Sequence, residues 1–215
     1  MRKFTTFILL CCAFLMLSTH ISAQNADIEL LKSINSNTSA PLRGYSKFMS
    51  ETTTIVGFSA PVVMTAVALL EKDDDLLKSG IYIGASLLVD EAITYGLKTT
   101  IRRTRPYVAY PDLITNYDTG TTGSTLSFPS GHTSFAFATA TALSIKYPKW
   151  YVIAPSYFWA CSVGYSRMNL GVHYPSDVLA GAVIGAGSAY ITYKANEWFW
   201  KKQENKKLIG LQAYL

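Results

Sequence analysis

At 215 residues the chain fits one domain with room for a buried core. Hydrophobic residues make up 49% and charged residues only 15%, against ~25% in a usual soluble domain, so composition leaves membrane and soluble readings open. The net charge of +5 is a modest excess, and with no nucleic-acid motif and no aromatic–basic interleaving no nucleic-acid partner is expected.

Residues 1–23 read as a removable secretory signal. Arg2 and Lys3 form a basic start, 7–17 is apolar, and Ile21, Ser22 and Ala23 offer a small-residue exit before Gln24. The apolar run is shorter than the ~20 residues of a membrane span, although a retained first span is the alternative. Cys11, Cys12 and His20 leave with the signal, and Cys161 remains alone, so no intrachain disulfide forms in the mature chain. Residues 24–50 follow as an amphipathic lead-in. Leu30, Leu31 and Ile34 recur at helical spacing, 35–40 is turn-like, and Pro41 opens a short helix.

Five apolar segments come next, at 54–70, 79–97, 133–145, 151–165 and 177–193. Strict alternation is rare, so an all-α bundle of about five core helices is expected. Pro61 interrupts the first segment, and Asp90 and Glu91 fall inside the second. A bundle tolerates them if neighbouring helices cover the polar groups. The core domain is placed at 51–197 and a basic tail at 198–215. The 14 tyrosines and four tryptophans fit either an interfacial belt or an aromatic core.

Consecutive helices of a bundle alternate direction. The end of the second segment, the start of the third, the end of the fourth and the start of the fifth therefore meet at one end. The polar motifs stand at those four places. A cleaved signal would put that end in the periplasm, with Lys194, Lys201, Lys202, Lys206 and Lys207 on the cytoplasmic side.

The first motif runs from Lys98 to Arg105 and Pro106. Lys98 and Arg105 share a face if the helix continues, and Arg105 can grip two oxygens of a phosphate. A basic flank that ends a span is the alternative, and Arg102 and Arg103 are expected to be such flanking charges. The second motif is Ser127, Phe128, Pro129, Ser130, Gly131, His132 and Thr133. Its turn opens a helix whose N-terminus offers an anion seat. Ser130 adds a hydroxyl, Gly131 permits close approach, and His132 stands at the rim able to give a proton. An N-cap turn with an incidental histidine is the alternative. The third motif holds Arg167, His173 and Asp177, with Pro175 suited to a first helical turn. A carboxylate four residues from a histidine can fix its tautomer, and a helix cap by Ser176 or Asp177 is the alternative. Together the motifs supply three cations, a donor-rich helix start and two imidazoles. That set complements a phosphoryl group in flight, with no metal and no cofactor required.

These motifs match K-x6-RP, PSGH and SR-x5-H-x3-D without departure, and on them the chain resembles the type 2 phosphatidic acid phosphatase (PAP2) superfamily. That family also contains vanadium haloperoxidases and bacterial class A acid phosphatases. The resemblance spans about 50–193. It implies an all-helical fold and metal-independent hydrolysis of a phosphomonoester or pyrophosphate. It implies His173 as the nucleophile that becomes phosphohistidine, Asp177 as the residue that orients it, and His132 as the acid for the leaving oxygen. Lys98, Arg105, Ser130, Gly131 and Arg167 would hold the phosphoryl oxygens. Around 173–181 the chain resembles bacterial membrane members of the family. The partner expected is therefore a phosphorylated lipid at the inner membrane: polyprenyl pyrophosphate, phosphatidylglycerol phosphate, phosphatidate or lipid A phosphate. A soluble periplasmic acid phosphatase acting on small phosphoesters is the alternative, and a vanadate-dependent halide-oxidising enzyme is a third reading. The connection 107–128, with Tyr107, Tyr110 and Tyr117, is expected to form a substrate lid. Oligomeric state has no signature in the sequence.

Overall fold

The computed structural model describes residues 20–118 and 124–212, with side chains for 25–118 and 124–200. Among these residues there are seven helices and no strand. They are α1 (His20–Ser36), α2 (Ala40–Glu71), α3 (Asp74–Ile101), α4 (Pro106–Ala109), α5 (Gly131–Lys146), α6 (Trp150–Asn169) and α7 (Pro175–Gln212). The all-α expectation holds, and the five long helices α2, α3, α5, α6 and α7 carry the five apolar segments. Most of the expected signal, 1–19, lies outside the described residues.

The lead-in is one helix and the start of another. Ser39 caps α2, its side chain accepting from the Leu42 N–H. Pro41 does open a helix, but one of 32 residues that runs unbroken through 54–70. It is therefore not the short helix expected. Pro61 does not interrupt it either, because α3 is packed against that turn. A Cβ on Gly80 of α3 would meet Thr65 Oγ1 at 2.5 Å and the Pro61 carbonyl at 3.2 Å. Helix α3 is capped by Asp73, which accepts from the N–H groups of Asp75 and Leu76. It ends at Arg102, whose φ of 51° is left-handed.

Helix α5 is the central post, packed on α7, α6, α3 and α2. Its small side chains explain that place. Ala136, Ala138, Ala140 and Ala142 are all fully buried, on two opposite faces of the helix. Helix α7 comes closest to it. A Cβ on Gly185 would lie 2.0 Å from the Ser134 carbonyl oxygen, so only glycine permits this backbone approach. Polar groups inside the bundle are covered by neighbours, as expected. Ser134 donates to Asp90, and Thr94 donates to Ser134 at 3.2 Å.

The outer surface is apolar where the interior is polar. Val62, Leu88, Phe158 and Val183 face outward, while Ser46, Ser50, Ser86 and Thr94 are buried. Such an inversion suits contact with lipid rather than water. By length and composition one described helix, α2, is apolar enough to cross a membrane. These features favour the membrane reading over the soluble alternative.

Adding a methyl at Gly185 should therefore destabilise the bundle by roughly 2 kcal/mol or more, since the atoms it meets are backbone. At Gly187, where a Cβ meets nothing within 4 Å, the same change should be harmless. Thermal midpoints of Gly185→Ala and Gly187→Ala in detergent test this, and equal midpoints would contradict the close approach.

Candidate active site

The three motifs are laced together by backbone hydrogen bonds at one end of the bundle. After the left-handed turn at Arg102 the chain runs extended, and Thr104 bridges to Leu126. The Arg105 N–H donates to the Thr125 carbonyl at 2.9 Å, and the Ser127 N–H to the Arg103 carbonyl at 2.7 Å. These bonds hold the first motif beside the second. The Ser130 N–H donates to the Asp177 carbonyl at 3.1 Å and ties the second to the third. Past α6 the chain reverses at Gly171, whose φ of 76° favours glycine. Pro175 then opens α7 at the expected first-turn position.

Lys98 and Arg105 do meet at one cavity, but not along a continued helix face as expected. Helix α3 stops at Ile101, and the extended stretch after it carries Arg105 back to the site. All eight anticipated residues lie at this end. Lys98, Arg105, Gly131, His132 and His173 line the cavity. Ser130, Arg167 and Asp177 are buried behind it.

The cations are held without enough partners. Arg105 is 6% exposed and Arg167 1% exposed. Among the described residues, no partner reaches Nε or Nη1 of Arg105 or Nε of Arg167. Buried donors left open are costly, and charged ones more so, which marks a seat for an anion. Lys98 Nζ donates to two carbonyls, of Pro129 at 3.0 Å and Leu126 at 3.5 Å, so its charge is solvated but not neutralised. The start of α5 adds to this field. Ser130 makes no side-chain cap there and instead pairs its hydroxyl with Thr133 Oγ1 at 2.9 Å. The first N–H groups of the helix are left to the cavity side. A Cβ on Gly131 would meet only Thr94 Cγ2, at 3.8 Å, so glycine here leaves space for a ligand.

His173 and Asp177 are brought together as expected. Nδ1 of His173 lies 3.6 Å from Asp177 Oδ2 and 3.4 Å from Ser127 Oγ. Asp177 Oδ2 also accepts from Ser127 Oγ at 2.5 Å and from the Tyr174 N–H at 3.0 Å. Burial pushes the His173 pKa down to about 3. Asp177 opposes that shift, and Arg167 and Arg105 add to it. The ring is thus neutral and keeps a lone pair on the nitrogen turned away from the carboxylate.

Arg103 is not a flanking charge. Its guanidinium donates to Asp177 Oδ1 and to Asp27 Oδ2, both at 2.7 Å, and lies 3.7 Å over the Tyr174 ring. Burial opposes its charge, but the two carboxylates outweigh that and hold its pKa above the usual arginine value. Ser50 and Asp118 were also missed. Both contact Arg167, Asp118 Oδ2 at 2.9 Å. Neither carries a local signal, because each reaches the site from a distant stretch of chain. The expected lid is partly pinned. Tyr107 packs against Ile28, Leu31, Ile114 and Tyr174, and Asn35 of α1 holds both backbone groups of Thr115. Residues 119–123 lie outside the described residues. Among those described, no group of three or more His, Cys, Asp or Glu side chains is placed to hold a metal ion.

The Asp118 carboxylate occupies one side of Arg167, where an anion oxygen would bind. Removing its charge in Asp118→Asn should tighten competitive inhibition by inorganic phosphate several-fold. An unchanged inhibition constant would show that Asp118 does not compete for that donor.

The model of the PAP2 superfamily matches residues 79–201. The chain is 31% identical over 207 residues to an undecaprenyl-diphosphatase of Sulfolobus acidocaldarius, covering 89% of this chain and 91% of that one. It is 34% identical over 149 residues to a decaprenylphosphoryl-5-phosphoribose phosphatase of Mycobacterium tuberculosis, covering 68% and 74%. Its fold superposes on the crystal structure of Aquifex aeolicus LpxE with a TM-score of 0.65 at 25% identity, over 79% of this chain and 95% of that one. A transmembrane PAP2-type phosphatidylglycerolphosphate phosphatase from Bacillus subtilis shares the fold with a TM-score of 0.67 at 23% identity, over 89% and 95%. An all-α bundle with cations and imidazoles gathered at one end, matched by this family over more than half its length, belongs to the PAP2 superfamily and is one of its membrane phosphatases.

Proposed function

We propose that the protein removes phosphate from a single-chain isoprenoid diphosphate, with the reacting end facing the periplasm. One observation carries the substrate class. The cavity at the cations continues as an apolar groove between α2 and α3, about 1140 Å³ in volume. Its walls run from Lys98, Arg105, His132 and His173 past Phe58 and Leu88 to Leu69, Gly80 and Ile81. From Gly80 to Lys98 helix α3 rises about 27 Å at ~1.5 Å per residue, so the groove spans most of a bilayer core. A linear prenyl chain suits that shape, with its diphosphate against the cations. The undecaprenyl-diphosphatase relative, matched over 91% of its length, supports the same substrate. The facing is supported by the cleavable signal expected at 1–23 and the lysines of the tail.

The reaction uses two displacements. Arg105, Arg167, Lys98 and the Ser130–Gly131 start of α5 bind the oxygens of the terminal phosphoryl group. The His173 nitrogen remote from Asp177 attacks phosphorus with its lone pair. The N–P bond forms as the bond to the bridging oxygen breaks, and that oxygen takes a proton from His132, which the negative charge of the bound diphosphate protonates against its burial among the cations. The negative charge of Asp177 steadies the cationic phosphohistidine. Water then attacks the same phosphorus and gives its proton to His132. The N–P bond breaks, and inorganic phosphate and free His173 result. Charge stabilisation by fixed cations carries most of the catalysis. Residues 51–197 form the catalytic domain in this reading, with 24–50 as lead-in and 198–215 as a basic tail.

Phosphate release is the measurement, from a panel of undecaprenyl diphosphate, phosphatidylglycerol phosphate, lipid A and p-nitrophenyl phosphate with EDTA present. Undecaprenyl diphosphate should be turned over best, and chelator should leave the rate unchanged. His173→Ala and Arg167→Ala should each lose ~10³-fold or more. A Cβ on Gly84 meets only Pro61 Cβ, at 3.7 Å, so Gly84→Leu fills the groove without a backbone clash. It should raise KM for undecaprenyl diphosphate and leave p-nitrophenyl phosphate unaffected. Equal effects on both substrates would remove the groove from the argument.

A further inference from the structure

Behind the His173–Asp177 pair lies a second carboxylate that belongs to no part of the matched family span. Asp27 sits on α1, ahead of 79–201, and is 8% exposed. Its Oδ2 accepts from Arg103 Nη2 at 2.7 Å and from Ser176 Oγ at 2.5 Å, and its Oδ1 accepts from the Ser176 N–H at 2.9 Å. Arg103 in turn bonds Asp177 Oδ1 at 2.7 Å and Ser176 Oγ at 2.6 Å. The order is therefore Asp27, Arg103, Asp177, His173. Ile28 and Leu31 fix α1 in place by packing with Ile114 and Tyr174. A cleavage after Ala23 would leave Asp27 on the mature chain.

Charge balance gives the arrangement a purpose. The nucleophilic ring becomes cationic when it takes the phosphoryl group, and a negative charge behind it favours that step. Arg103 against Asp177 alone makes a neutral pair and cancels the benefit. Asp27 returns the group to a net charge of −1. We infer that Asp27 of the N-terminal helix is a positioning residue of the reaction, clamping Arg103 and setting the charge that Asp177 presents to His173. This rests on the reading of His173 as nucleophile. The other charged groups facing His173 stay in place when Asp27 is changed. They are Lys98 from α3, Arg105 from the stretch after it and Arg167 from α6, together with the titratable imidazole of His132 from α5, while Asp118 of the loop pairs with Arg167.

The test is the pH dependence of kcat on undecaprenyl diphosphate, with full-length protein in detergent. Asp27→Asn keeps the size of the side chain and an acceptor for the Ser176 N–H. It should lower kcat about ten-fold, the scale of loss when an outer partner of a functional residue is removed, with KM little changed. It should also move the acid limb to lower pH by about half a unit, because losing a negative charge disfavours the protonated ring. Asp27→Glu should restore much of the rate. Arg103→Gln takes the group to −2 and should move the limb to higher pH, and the double variant, at −1, should bring it back towards the wild-type position. Acid limbs that superimpose across this set would overturn the inference, whatever the variants do to thermal stability. Labelled phosphate trapped from substrate separates this failure from that of the parent reading. If wild-type protein carries label on His173 and the limbs do not move, only Asp27's role falls. If His173 never carries label, both fall.

Discussion

The constraint on which this structure depends is the burial of two guanidiniums, with half-buried Lys98 beside them, at one end of an apolar bundle. Taking a guanidinium out of water costs several kcal/mol unless something negative or strongly polar replaces the solvent. The protein supplies only part of that replacement. Lys98 receives carbonyls, Arg167 receives Ser50 and Asp118, and Arg105 keeps two nitrogens open among the described residues. The end is thereby built for an anion before any anion arrives, and a phosphoryl group fits the open donors.

The rest of the bundle exists to hold that shortfall still. Helix α5 starts at the Ser130–Gly131 turn beside the cations, and its alanines let α6 and α7 pack closely around it. Gly185 admits the α7 backbone to Ser134, and Ser130 is bonded to Asp177 across the same interface. The position of the imidazole is thus coupled to helix packing at the angstrom scale. The polar residues that line the helix contacts would be a liability in a soluble core. Here they face inward, the apolar residues face out, and the hydrogen bonds of Ser134 with Asp90 and Thr94 are shielded from lipid.

The electrostatics show two shells of opposite tendency. Nearest the cavity the charge is positive, and burial keeps His173 neutral. Behind it the order reverses, with two carboxylates around one guanidinium. An N-terminal helix that looks like a mere lead-in thereby touches the chemistry through a single carboxylate.

The sequence by itself determined the helical class and the convergence of the three motifs, because both follow from local rules. Apolar periodicity selects helices, helices in a bundle alternate direction, and the motifs stand at alternate helix ends. It also singled out His132, His173, Asp177 and the three cations, which the structure brings to one end, since their residue types and spacing are local facts. The spacing of Lys98 and Arg105 puts them on one face only if the helix continues, and a left-handed residue at Arg102 ends it with no pattern around it to announce that. Pro61 was misread for the opposite reason, since packing against α3 overrides the local preference to break. Which carboxylate each arginine takes was decided only by tertiary structure. Arg103 joins Asp27, 76 residues before it, to Asp177, 74 residues after it. An ion pair is set by the distance between atoms in space, and packing of α1 against α7 and the 103–127 bridge creates that distance. No spacing along the chain encodes it.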